Sequence, residues 1–197
     1  VTKSGSSILL FINGKQEASG TIDENPVVNE FEIGYYQDDV SAILRPFYGS
    51  LDEIRVWSSV RTEAEINANM YKELAGNEAG LEAYYKMSNG NGTTLSDNQA
   101  SGANEGTING ATWKASGALT GSRQALDFDG INDYVAFTSS PAYNNAAVTI
   151  EAWINSTSSS VEEVIVSWGS NAGLNDNVQL RMQEGKLQFG ADVAGWT

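Results

Sequence analysis

The chain is written mostly in a period of two. Ser7 to Ile12 is a short apolar run that stops at Asn13-Gly14, a dipeptide suited to the positive φ angles of a hairpin turn. Phe31, Ile33 and Tyr35 alternate with Glu32 and Gly34, and Val148, Ile150, Ala152 and Ile154 alternate with Thr149, Glu151 and Trp153. Each such segment has one apolar face, as a half-buried strand does. Shorter runs of the same kind fall at Leu51 to Trp57, Leu81 to Tyr85, Ala125 to Phe128, Tyr134 to Phe137, Val164 to Trp168, Val178 to Met182 and Lys186 to Phe189. Many short strands punctuated by Gly, Asn, Asp and Ser predict an all-β antiparallel sandwich. One segment breaks the period. Thr62 and Glu65 form a capping box, Ile66, Met70 and Leu74 recur at spacing four, and Gly76 supplies a left-handed stop, which predicts one helix from Glu63 to Ala75. Ser88 to Gly110 is dense in Asn, Gly, Thr and Ser, and reads as a linker or as an ordered loop held by a ligand, the Asp and Asn content favouring the ligand.

Composition narrows the chemistry. The 197 residues include no Cys and no His, which removes thiol nucleophiles, zinc sites with sulfur or imidazole ligands and every His-based triad. With 25 acidic against 11 basic side chains, a net charge of -14, most of the surface repels a phosphate backbone, so nucleic acid is not expected as a partner, whereas calcium and neutral ligands are. Hydrophobic residues make up 41% of the chain, enough to offset the entropy of ordering a core. No stretch is long and apolar enough for a membrane span, so no direct membrane insertion is expected, and any export signal is expected outside this sequence.

Longer motifs carry a resemblance. Leu10-Phe-Ile-Asn-Gly14, Gly49-Ser-Leu-Asp-Glu-Ile-Arg-Val-Trp57 and Arg61-Thr-Glu-Ala-Glu-Ile66 resemble the C-terminal signature of laminin-G-like domains of the concanavalin A-like lectin/glucanase superfamily. The family's N-terminal signature is matched later, by Gly80-Leu-Glu-Ala-Tyr-Tyr85, Asp97 through Gly106, Gly110-Ala-Thr-Trp113, Ala125-Leu-Asp-Phe-Asp-Gly-Ile-Asn-Asp-Tyr-Val135 and Thr149-Ile-Glu-Ala-Trp-Ile154. The resemblance implies a concanavalin A-like, jelly-roll antiparallel β-sandwich with one short helix. Because the end signature precedes the start signature, residues 1–78 read as the C-terminal part of one unit and residues 79–197 as the N-terminal part of the next, or the whole as one circularly permuted domain. The tandem reading is favoured, and it expects the two segments to lie apart, each exposing an apolar face.

Site residues follow from the same resemblance. It implies a structural calcium held by Asp52, Asp97 and Asn104, with Gly106 or Thr107 as carbonyl donors, since calcium takes six to eight oxygens. Asp52 is read on the face of Ile54 and Val56, at the rim of an apolar surface. Asp127, Asp129 and Asp133 with Gly130 and Asn132 have calcium-like spacing, but Asp129-Gly130 is adequately explained as a turn. Glu53 and Arg55 are expected to form a structural surface pair. The Glu-x-Asp-x-x-Glu pattern of related laminarinases is lacking: Glu151 stands alone and Glu162-Glu163 point to opposite strand faces, so no enzyme is expected. For a glycan, Trp168, Trp196 and Tyr36 are the candidate platforms. These readings converge on an extracellular, cell-surface adhesion or carbohydrate-binding module whose partners are a polysaccharide or surface glycan and neighbouring repeat units. An accessory domain of a polysaccharide-degrading enzyme and a structural stalk repeat are the alternatives.

Overall fold

A computed structural model of the chain describes residues 1–22, 30–35, 45–119, 123–141, 146–157, 162–169 and 177–192. From the N-terminus run β1 (Thr2–Ser4), β2 (Ser7–Ile12), β3 (Lys15–Thr21), β4 (Glu30–Ile33), β5 (Tyr48–Trp57), α1 (Glu63–Asn69), β6 (Leu81–Tyr85), β7 (Thr94–Leu95) and β8 (Gly106–Asn109). There follow β9 (Thr112–Ala115), β10 (Gln124–Asp129), β11 (Tyr134–Phe137), β12 (Ala147–Asn155), β13 (Glu163–Gly169), β14 (Asn177–Gln183) and β15 (Lys186–Asp192). Two antiparallel sheets result. The first has the order β3-β2-β1-β12-β5-β10-β9, with β6 also paired to β5, and the second β15-β14-β13-β4-β11-β8-β7. The alternating residues meet between them: Leu51, Ile54, Val56, Leu126, Phe128, Val148 and Ile150 from the first sheet pack on Phe31, Ile33, Val135, Val166, Trp168, Val178 and Leu180 from the second. The expected antiparallel β-sandwich with one short helix is thus present, and it is consistent with the concanavalin A-like architecture.

The expected separation of residues 1–78 from residues 79–197 is not what the structure has. β5 pairs with β12, β10 and β6, β1 pairs with β12, and β4 pairs with β13 and β11, so strands of the two segments alternate in both sheets. The apolar face of each segment is covered by the other, which is the lower free-energy arrangement for two complementary sheet faces in one chain.

The helix is shorter than its spacing predicts. Its start is the predicted capping box, with Thr62 accepting from the Glu65 amide and Glu65 accepting from the Thr62 amide. It ends at Asn69 because the next carbonyls turn to the sheet: Arg55 donates to the carbonyls of Asn69 and Lys72, and the Trp153 indole donates to that of Met70. Leu74 consequently leaves the helix and joins a small apolar cluster with Trp57, Leu81 and Tyr84 on the outer face of the first sheet.

Candidate functional site

The outer face of the first sheet divides into a covered half and a bare half. β5 explains the division. Leu51 and Ile54 both reach the core although they are three residues apart, because Glu53 adopts φ 52 and one extra residue of β5 stands opposite β12, where Arg55 pairs with Glu151 and Asp52 with Trp153. Such a bulge re-aims the side chains around it. Asp52 therefore does not share the face of Ile54 and Val56, contrary to the alternation read from sequence.

On the covered half, the bulge gathers a buried ionic cluster. Glu53 accepts from the Arg55 guanidinium at 2.8 Å and from the Tyr84 hydroxyl at 2.6 Å, and is also paired with Arg123. Arg55 lies 3.5 Å from Glu151, and Arg123 is also paired with Glu73. The Glu53–Arg55 pair is thus buried rather than a surface pair, and it is stitched to the segment that follows the helix. Burial, then the hydrogen bond to Glu53, pushes the Tyr84 hydroxyl well above its ordinary range. Glu151 is used up here, accepting from the Trp57 indole as well. The conspicuous string from Asp52 to Trp57 is the clamp that seats α1 on the sheet.

The four residues assigned to calcium do not form one shell. Asp52 accepts from the Glu53 amide at 2.8 Å and from the Ser116 hydroxyl, and burial pushes its carboxyl up to about 6. Asp97 serves a different set: it accepts from the amides of Tyr84 and Gln99, both at 3.0 Å, and from the amide and side chain of Asn104. Four N–H groups take the four acceptor sites of a carboxylate, and donors aimed at that point repel a cation. Asn104 in turn donates to the Glu82 carbonyl and accepts from the Tyr85 hydroxyl on its own carbonyl, while Gly106 sits in β8 paired with Leu95 and Phe137. Among the described residues no group of three or more Asp, Glu, His or Cys side chains is placed to hold a metal ion. In this arrangement both oxygens of Asp97 are engaged by N–H donors.

Asp97 and Asn104 have another task. Together with Asn98, whose amide bonds the Tyr84 carbonyl at 2.7 Å, they occupy the outer edge of β6. The loop from Ser88 to Gly110 closes that edge with side chains in place of a strand, which removes a template for edge-to-edge pairing. Gly76 makes the approach possible: at φ +88 a side chain there would collide with the Asn98 carbonyl, and its own carbonyl accepts from Ala100.

The glycan platforms read from sequence fare differently. Trp168 has no exposed surface; it packs 4.7 Å from Phe31, centroid to centroid, and donates to the Pro141 carbonyl, so no ring face is left for a sugar. Its side chain belongs to the core because strand alternation places it with Val166. Tyr36 and Trp196 lie outside the described residues.

The bare half begins where the helix segment ends. Cross-strand pairs set its rows: Asn155 faces Ser50, Ser50 faces Asp127 and Asp127 faces Thr112, while Tyr48 faces Asp129 in the next row. With Lys114, Gly110, Asp133 and Thr157 they line an open cleft of about 420 Å³. Ser50 donates to Asp127 at 2.6 Å and Lys114 lies 3.1 Å from the same carboxylate. Asp129 accepts from the Ile131 amide and Asp133 from the Asp129 amide, the turn chemistry expected of this Asp-Gly sequence. Tyr48 is 47% exposed at the rim.

Comparison with known proteins adds one positive result. Residues 1–67 match the family model described as the concanavalin A-like lectin/glucanases superfamily. The match covers the first third of the chain. It spans β1 through most of α1 and includes the clamp and Tyr48. No curated protein and no solved structure matches the chain. This partial likeness to laminin-G-like domains, together with the sandwich, supports at most a carbohydrate- or ligand-binding domain, and laminin-G-like domains are generally non-catalytic.

Proposed function

We propose that the chain is a non-catalytic carbohydrate-binding domain, that it works in adhesion at a cell surface, and that the glycan lies on the bare half of the first sheet. The observation that carries the reading is the cleft itself. An exposed tyrosine stands beside a row of hydroxyl, amide and carboxylate groups, the combination that gives a sugar both an aromatic surface for its C–H face and partners for its hydroxyls. The cleft carboxylates are committed to Lys114, Ser50 and turn amides, so none is set up as the acid and base pair of glycoside hydrolysis. A net charge of -14 in a chain without Cys suits an exported surface protein.

A glycan-array screen of the chain, repeated with Tyr48→Ala and Asp127→Asn, tests this. Binding to a defined glycan class that both substitutions weaken about five- to tenfold is expected, since each removes roughly 1–1.5 kcal/mol of contact. Binding that is indifferent to both would place the site elsewhere, and turnover of a bound polysaccharide would refute the non-catalytic reading.

A further inference from the structure

The outer face holds a second exposed aromatic group, and its position specifies the ligand further. Tyr71 is 66% exposed and packs against Trp153 with ring centroids 5.4 Å apart and planes tilted by 55°, at the border where the helix segment stops. Trp153 points outward from β12, two residues before Asn155 on the same face. Across the sheet Trp153 pairs with Asp52 and Asn155 with Ser50, and Tyr48 lies two residues beyond Ser50. The aromatic pair and Tyr48 are therefore separated by four residues of strand, about 13 Å at about 3.3 Å per residue. Between them lies the polar row of Asn155, Ser50 and Asp127. That spacing exceeds one pyranose ring and suits a short stretch of extended chain running along the strands.

Charge restricts the ligand as well. Three carboxylates, Asp127, Asp129 and Asp133, line the cleft against one ammonium, Lys114, which is engaged by Asp127. The chain as a whole carries -14. A uronate or sulfate group entering the cleft meets like charge with no free cation lining it to answer it, a mismatch that discriminates strongly between partners.

Resting on the carbohydrate-binding reading, we infer that the ligand is an uncharged linear polysaccharide, bound as a segment of several sugars that reaches from Tyr48 to the Tyr71–Trp153 pair. Calorimetric titration with laminari-, xylo- and manno-oligosaccharides from one to six units, with polygalacturonate oligomers as the acidic control, tests it on the wild type, Tyr48→Ala and Tyr71→Ala. Both tyrosines are exposed, and circular dichroism checks that the variants fold. In at least one neutral series, affinity rises tenfold or more between disaccharide and pentasaccharide. Each substitution lowers pentasaccharide affinity about tenfold, and Tyr71→Ala costs the disaccharide less than the pentasaccharide. The acidic oligomers do not bind. Equal affinity for short and long sugars, indifference of every length to Tyr71→Ala, or preference for the acidic series overturns the inference while a loss on Tyr48→Ala keeps the cleft reading. If no series binds, or neither substitution matters, both fall together.

Discussion

Replacing Asp52 by Asn should stabilise the protein at neutral pH and bring no gain in acid. Asp52 is 3% exposed, and burial is the largest influence on its carboxyl, raising it from 3.8 to about 6. The Ser116 hydrogen bond opposes that rise, the Glu53 charge adds to it, and the Glu53 amide and Arg123 oppose it. The folded state thus holds this proton more tightly than the unfolded chain. Below pH 3.8 both states are protonated and nothing is lost; as pH rises through 3.8 to 6 the folded state must ionise a buried group, and stability falls. Two pH units at about 1.36 kcal/mol each give a ceiling near 3 kcal/mol above pH 6. Asn keeps both contacts, accepting from the Glu53 amide and donating to the Ser116 oxygen, so only about 0.5–1.5 kcal/mol of bond quality is at risk. The expected net gain is about 1–2 kcal/mol at pH 7.5, near 4 °C in Tm for a chain of this size, whereas at pH 3.5 no gain remains and the change is a loss of at most about 0.5–1.5 kcal/mol. Urea unfolding followed by tryptophan fluorescence at the two pH values measures it. A loss of stability at pH 7.5, or the same change at both pH values, refutes the argument. A loss seen only when calcium is present would show that Asp52 is a metal ligand after all.

The buried cluster and the loop hub give further predictions. Glu53→Gln leaves Arg55 and Arg123 facing a neutral group in a buried site, and should cost about 3 kcal/mol or more in urea unfolding while the residual fold keeps its sheets. A cost below 1 kcal/mol would mean that the cluster is solvated. Asp97→Ala strips the acceptor from three amides and the Asn104 side chain, so a loss of at least about 3 kcal/mol is expected, identical in calcium and in chelator. A chelator effect confined to the wild type would instead restore calcium to this loop. Trp153→Phe frees the Met70 carbonyl and should raise hydrogen exchange in the segment after α1 without altering the core strands, whereas unchanged exchange there would show that the indole does not hold the segment.

The strands that build the core were legible because each carries a buried face: β2, β4, β5, β6 and β10 through β15 all lie where alternation places them. β3 was not legible, since all seven of its residues are exposed and an edge strand with no buried face has no alternation to read. β1, β7, β8 and β9 run for only two to four residues, too short for a period of two to show. The helix start was written in local chemistry, Thr62 and Glu65, but its end is decided by Arg55 and Trp153, which are distant in sequence. Asp52 was misplaced because a bulge at a non-glycine residue, Glu53, leaves no mark in the sequence. The loop from Ser88 to Gly110 is ordered, as its Asp and Asn content allowed, yet what it holds is the edge of β6. Asp97 and Asn104 do come together, though as donor and acceptor to one another. The bare face was half legible: Tyr48 with Ser50, and Asp127 with Asp129, are fixed outward by Leu51 and Phe128, but that β5 lies beside β10 is a fact of topology.

The central claim is that a glycan lies on the outer face of the first sheet beyond the helix segment. Backbone amide shifts of the isotopically labelled chain, recorded while the oligosaccharide identified by titration is added, test it most directly. Tyr48, Ser50, Asp127, Thr112 and Asn155 are expected to move together at one saturating concentration, with Tyr71 and Trp153 moving most for the longer sugars. Shifts gathered on β13, β14 and β15 of the second sheet, with the residues of β5 and β10 still, would contradict it.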